Sequence, residues 1–420
     1  MSRRIPLKRV AQIRYGLGQP PPLSDDGIPI LRATNIARGK ITENSLLRAK
    51  VEDLPLERAP LLQEGEILVV RSGAYTGDSA RITREWAGSA PGYDLRVTPQ
   101  TIDSRYLAYA LLGTSVQDQI NLASSRAAQP HLNAEELGEM QLWVPPLGDQ
   151  QRIANFLDAE TARIDHVLER RARQILLLDG ACVSRAYDAV RGGSVQGVRK
   201  ESGLSWLGTV PDSWRVAAVS HLFEVELGKM LNQERARGSH LRPYLRCANV
   251  QWDEIETADL LEMDFPPDEQ PRYRLRKGDL MVCEGGSWPG RAAIWGGEIA
   301  EIYYQKALHR IRPRGGDLTR WLYYCLLVAE KMRVFAVQGN SSTITHLTLE
   351  QLRPQRFPFP EIDTQRRIVM ELDQAAEKDR ALRQKLLKQQ ELLAERRQAL
   401  ITAAVTGQFD VTTCSCPPAA

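Results

Sequence analysis

The chain has 420 residues, 43% hydrophobic and 25% charged, with a formal net charge of +3. This is an ordinary globular composition with room for about two to four domains; no run approaches the ~20 apolar residues that cross a bilayer, and the charged start MSRRIPLKRV lacks the apolar stretch of a secretory signal, so the expected location is cytoplasmic with no membrane partner. The near-neutral balance also lacks the basic excess common in nucleic-acid binders, so any positive surface must come from sorting charges onto one face.

In chain order, PILRATNI (29–36) and EGEILVVRSGAYTG (64–77) come first, and EILVV after a glycine turn reads as a strand. LRVTP (95–99) reads as another strand, ended by proline. RYLAYALL (105–112) is helical, and a polar loop follows. His131 comes next, and Asn133-Ala134-Glu135-Glu136 has the form of a capping box. After Pro145-Pro146 comes GDQQRIANFLD (148–158), where Asp149 is placed to cap a helix running to about Val190 and ending at Gly192-Gly193.

The chain then repeats itself. PYLRCANV (243–250) answers PILRATNI, and KGDLMVCEGGSWPG (277–290) answers EGEILVVRSGAYTG. From Arg105 to Asp158 the match to Arg320–Asp373 needs no gap. RWLYYCLL (320–327) answers RYLAYALL, His346 falls on His131, and Thr348-Leu349-Glu350-Gln351 supplies the second capping box. DTQRRIVMELD (363–373) falls on GDQQRIANFLD, with Asp363 or Thr364 as the cap of a second long helix ending at Gly407. A period of a little over two hundred residues means duplicated domains rather than a solenoid.

Each copy therefore reads as an α+β domain followed by a long helix. Forty helical residues make a rod of about 60 Å, which suggests a coiled-coil strut. One seam runs through Leu157, Ile164, Arg171, Leu178 and Arg185, the other through Leu372, Asp379, Leu386, Leu393 and Leu400. Antiparallel pairing about the pseudo-twofold of the duplication would bring Arg171 near Asp379, Ile164 near Leu386 and Leu178 near Leu372. The alternative is that both charges are solvated breaks in the seams.

Catalytic motifs are missing. There is no phosphate-binding loop, LGKM (227–230) lacking both the glycine spacing and the hydroxyl. GGSWPG (285–290) misses the nucleophile elbow by one position. Six cysteines have no framework spacing, and Cys414-Ser415-Cys416 has no partner pair to complete a metal site, so reduced and mostly buried thiols are expected. His131 and His346 each follow a polar loop and precede a capped helix. They read either as packing beneath that helix or as nucleic-acid contacts.

Four phrases together resemble the specificity (S) subunits of type I restriction–modification systems. They are PPLGDQQRI with PEIDTQRRI, the C-terminal RRQALITAAVTG (396–407), the central SGLSWLGTVPDSW (202–214), and the SS…H/L entry before each long helix. The resemblance covers essentially the whole chain. The sequence departs from the family's usual Glu before the Gln, with Asp149 and Thr364 there, and has VSRAYDAVRGG where the family ending resembles ITAAVTG.

The resemblance implies two tandem α+β target-recognition domains (1–147 and 194–362), two long antiparallel coiled-coil helices as spacers (148–193 and 363–409), and an irregular tail (410–420). Each domain would read part of an asymmetric, bipartite site in double-stranded DNA through a major groove. The helices would dock methylation (M) subunits, two of them, and restriction (R) subunits would join. S-adenosylmethionine, ATP and Mg²⁺ would belong to those partners, leaving this chain non-catalytic and without cofactor or metal.

Repeat-equivalent polar positions are the candidates for DNA contact. They are Arg32 and Asn35 against Arg246 and Asn249; Arg71, Ser72 and Tyr75 against Glu284, Ser287 and Trp288; and Ser125, Gln129 and His131 against Ser342, Thr345 and His346. Pairs identical in both halves (Arg32/Arg246, Asn35/Asn249) read equally well as structural or phosphate contacts, since readers of different half-sites should differ, as Arg71 and Glu284 do. Two other classes stay open: a coiled-coil scaffold joining protein partners, favoured by the balanced charge, and a cryptic nuclease, disfavoured because the halves share no acidic cluster.

Overall fold

The computed structural model describes residues 4–124, 130–230, 238–285, 289–337, 346–409 and 411. It contains two compact units: Met1–Ala172 with Leu386–Ala420, and Arg173–Lys385. No helix among the described residues is long and apolar enough to cross a membrane. Cys182, Cys247, Cys283 and Cys325 are free thiols, and Cys414 and Cys416 lie outside the described residues.

The first unit is built on a four-stranded antiparallel sheet in the order Ala11–Tyr15, Leu95–Pro99, Ile67–Val69, Ser79–Arg81. Of its middle strands, Ile67–Val69 is continuously apolar because both faces are covered, while Leu95–Pro99 carries Arg96 in a buried ion pair with Glu66. Alternate residues divide between two clusters, as the two-residue period of a strand requires. Ile67, Val69, Leu95 and Val97 face a core formed with the helix Ser104–Leu112, while Leu68, Val70 and Ala80 face a second cluster beneath the loops. A small mixed sheet of Leu47–Ala49, Ile28–Leu31 and Ala90–Pro91 adjoins that second side.

The second unit repeats this plan. Its sheet runs Phe223–Leu227, Leu308–Pro313, Leu280–Cys283, Ala292–Ile294. Leu280, Val282 and Ile311 face one core, and Met281, Cys283 and Leu308 the other. The small sheet recurs as Leu261–Asp264, Leu241–Leu245 and Tyr303–Tyr304. The strands read from EILVV, LRVTP, DLMV and HRIRP are thus the two middle strands of each sheet, and the fold is α+β in both halves.

Two helices of 44 residues, Leu147–Val190 and Ile362–Val405, follow the domains. Each begins two to three residues earlier than a cap at Asp149 or Asp363 would allow. Both aspartates sit inside the first turn instead, where negative charge suits the exposed N–H groups of a helix start. In the first unit, Ile153, Ala154 and Leu157 from the start of one helix share a core with Ile401, Ala404 and Val405 from the end of the other. In the second unit, Ile368, Val369 and Leu372 do the same with Ala186 and Val190. The two helical segments of each unit are therefore antiparallel.

The helix register departs from the expected one. Asp379 is hydrogen-bonded by Arg185, two heptads beyond Arg171 on the same seam. The two arginines are about 21 Å apart along the helix, so Asp379 cannot sit beside both. In the first unit, Arg397 donates to Asp165 at 3.1 Å, a register shifted in the same sense. Along the seams, Leu157, Ile164, Leu372 and Leu386 are buried, and Leu178 and Leu393 are partly so.

Candidate nucleic-acid interface

The repeated helix start is a clamp. The buried Gln150 side chain accepts the Asp103 N–H at 2.8 Å and donates to the Pro145 carbonyl at 2.8 Å. Gln365 does the same with the Leu318 N–H (3.0 Å) and the Pro360 carbonyl (2.9 Å). Arg105 and Tyr109 bind Asp158 at 2.9 and 2.8 Å, and Arg320 and Tyr324 bind Asp373 at 2.7 and 2.6 Å. Even where the residue changes, the bond persists: the Tyr106 hydroxyl donates to the Trp143 carbonyl, and the Trp321 indole to the Pro358 carbonyl. Side chains common to both copies thus hold each domain to its helix.

Two of the shared candidate pairs are also structural. Asn35 is fully buried, donates to the carbonyls of Thr42 and Asn44, and accepts the Arg32 N–H. Asn249 is buried likewise, donates to Glu256 and Asp259, and accepts the Arg246 N–H. Arg32 reaches the Ser45 carbonyl and Arg246 both the carbonyl and the carboxylate of Asp259. These asparagines cannot reach a base, because their amides are spent on loop backbone; the arginines brace the same loops. Ser125, Gln129, Ser287, Trp288, Ser342 and Thr345 lie outside the described residues.

The other candidates of the first domain converge at one end of its main sheet. Register explains how. Leu95 pairs with Val69 on one side and Tyr15 on the other, so Arg71 and Tyr93 both leave the sheet two residues beyond that row. The Arg71 guanidinium lies 4.3 Å from the ring centre of Tyr93 and 4.7 Å from that of Tyr15. Its Nη2 donates to His131 Nε2 at 3.0 Å. Arginine has no lone pair to offer, so that histidine nitrogen must be the unprotonated one. Ser72 bridges to His131, and the Leu132 N–H bonds the Arg71 carbonyl at 2.8 Å, which ties the two loops together. Tyr15, Tyr75 and Tyr93 are exposed by 46, 59 and 49%.

Beneath this stack, the buried Asp94 accepts the Arg71 backbone N–H, and burial pushes its carboxyl up to about 6. The result is a cationic, aromatic, solvent-facing surface of the kind that meets base edges or phosphates.

The same end of the second sheet differs. His309 pairs with Val282 and Leu227, so Leu227, Glu284 and Ala307 occupy the places of Tyr15, Arg71 and Tyr93. The frame is kept, since the Leu347 N–H bonds the Glu284 carbonyl at 2.6 Å and His346 is exposed beside Gly285. A β-carbon at Gly285 would lie 2.6 Å from the His346 ring, so no side chain fits there without a shift. Neither histidine packs beneath its helix.

Tyr15 and Tyr93 were not among the sequence candidates. Tyr15 ends one strand and Tyr93 lies two residues before another, but only the pairing register reveals that they share one arginine.

Residues 24–175 and 211–391 match the family model described as the type I restriction modification DNA specificity domain. The chain belongs to this family. One matched segment falls within each of the duplicated units seen in the sequence. The chain is 25% identical over 287 residues to the type I restriction enzyme EcoKI specificity subunit of Escherichia coli strain K12, a match covering 67% of this chain and 58% of that one. It is 24% identical over 294 residues to the EcoBI specificity subunit of Escherichia coli, covering 67% and 60%. The matches thus span less than two thirds of these relatives' length. A solved chain from work on complex assembly and conformational transition of the type I R-M system shares the specificity-domain fold, with a TM-score of 0.71 and 18% identity over 97% of this chain and 98% of that one.

Proposed function

We propose that this chain is the DNA sequence-recognition subunit of a type I restriction–modification complex, each domain reading one half of an asymmetric, bipartite site. The observation that carries this is the division of labour between shared and unshared residues. Side chains that brace loops and fasten helices recur in both halves, as Gln150/Gln365, Asp158/Asp373 and Asn35/Asn249 do. At the exposed sheet end, Tyr15, Arg71 and Tyr93 stand opposite Leu227, Glu284 and Ala307. A donor faces one half-site and an acceptor the other, as two readers of different bases require.

In this reading the chain does no chemistry itself. Methylation and restriction subunits dock on the long helices and bring S-adenosylmethionine, ATP and Mg²⁺. The names of the relatives, both specificity subunits of type I restriction enzymes, support the assignment. The test is co-expression with the methylation subunits of the system, followed by mapping of methylated adenines across the genome. A split motif that appears only when this chain is present is the expected result; a methylation pattern indifferent to the chain overturns it.

A further inference from the structure

Resting on that reading, we propose that Arg71 is the base-reading side chain of the first domain, that it selects a guanine, and that Tyr15, Tyr93 and His131 are the positioning residues that aim it. Three observations converge on it. The first is preorganisation. A free arginine must give up much of its rotamer entropy to bind, but this one is already held between two rings and by a histidine. Little ordering is left to be done on contact, which favours affinity.

The second is the donor inventory. Of the five guanidinium N–H groups, only one on Nη2 has a partner among the described residues, and Nε is buried without one there. Nη1 and the remaining Nη2 proton have no partner among the described residues, and together they can make two parallel hydrogen bonds. That fork matches the O6 and N7 acceptors of guanine in the major groove. The anchoring tyrosines are themselves half exposed, so the stack stands at the surface instead of inside a core.

The third observation excludes a purely structural role. The second domain builds the same sheet end with Leu227, Glu284 and Ala307, and still makes the equivalent bond from Leu347 to the residue-284 carbonyl. The fold does not need the cluster, so Arg71 can be changed without removing anything the scaffold rests on.

The test uses the chain assembled with its methylation subunits, presented with a duplex library randomised over both half-sites. For Arg71→Ala and Arg71→Lys, the expected result is loss of about ten- to a hundredfold discrimination at one G·C position of one half-site, with the other half-site read as before. Tyr15→Ala and Tyr93→Ala should weaken preference at that same position. Thermal unfolding of each variant close to the parent's verifies the fold. If the arginine variants bind all sequences more weakly by one common factor, Arg71 is a phosphate contact and the proposal is overturned. An unchanged motif overturns it too while leaving the recognition function intact. A parent assembly with no split sequence preference overturns both.

Discussion

Asp94 sits under the Arg71 stack, buried, and its carboxyl is raised to about 6 because desolvation outweighs the backbone N–H it accepts. In the unfolded chain it would ionise near pH 4. Between about pH 4 and 6 the folded protein therefore holds a proton that the unfolded chain has released, and stability falls as pH rises through this window, then levels off. Asp94→Asn keeps an acceptor for the Arg71 N–H but cannot ionise. Comparing the melting temperatures of parent and variant from pH 4 to 7 should show the parent losing up to about 3 kcal/mol relative to the variant across that window; parallel profiles would contradict this. Much at this scale was legible beforehand. Gln150 and Gln365, or Asp158 and Asp373, stand at equal places in both copies because each makes the same bonds. Asn35 and Asn249 were ambiguous for the same reason, since identity between copies does not distinguish a brace from a contact. Only burial does.

At the scale of elements, the fastening of each domain to its helix is repeated in kind and unequal in strength. Arg320 binds Asp373 and Asp253, lies 4.5 Å over the Tyr323 ring, and is mostly buried. Arg105 binds Asn155 and Asp158 from a more open position. Removing the first breaks bonds to two carboxylates and a ring contact, although Asp253 keeps Arg380 and Asp373 keeps the Tyr324 hydroxyl; removing the second breaks bonds to one amide and one carboxylate. Arg320→Ala should cost about 2 kcal/mol and Arg105→Ala about 1 kcal/mol or less, read as shifts in urea midpoint at constant slope. Equal shifts would refute the distinction. A second fastening swaps its charges: Lys40 meets Asp165 on the helix in one unit, and Asp253 meets Arg380 in the other. The helix ends were legible, because Gly192 and Gly407 adopt φ of +69° and +71°, a backbone shape that suits glycine at a helix C-terminus. The register of the seams was not. A heptad pattern repeats, so a slip of two heptads leaves the seam looking the same and only exchanges Arg171 for Arg185 opposite Asp379.

For the whole molecule, the consequence is that the core of the first unit is discontinuous in sequence while that of the second is continuous. Ile401, Ala404 and Val405 close the core of the first unit, whereas every buried member of the second unit's main core lies between Ala186 and Leu372. Deleting residues 386–420 should therefore loosen the domain at the opposite end of the chain. Hydrogen exchange on the truncated protein is expected to quicken in the strands Ile67–Val69 and Leu95–Pro99 while Leu280–Cys283 and Leu308–Pro313 stay protected. Uniform protection, or loss confined to the second unit, would refute this view of the core.

The amino-acid sequence by itself determined the duplication, the α+β character of each copy, the two long helices and the family, because these rest on local periodicity, on capping and turn residues, and on phrases written twice. Tertiary structure alone decided which side chains meet. The row shared by Tyr15, Leu95 and Val69, the arginine held between two tyrosines, and the partner of Asp379 all depend on strand and helix register. Register is set by how whole cores close, and a repeating pattern along one chain fits several registers equally well.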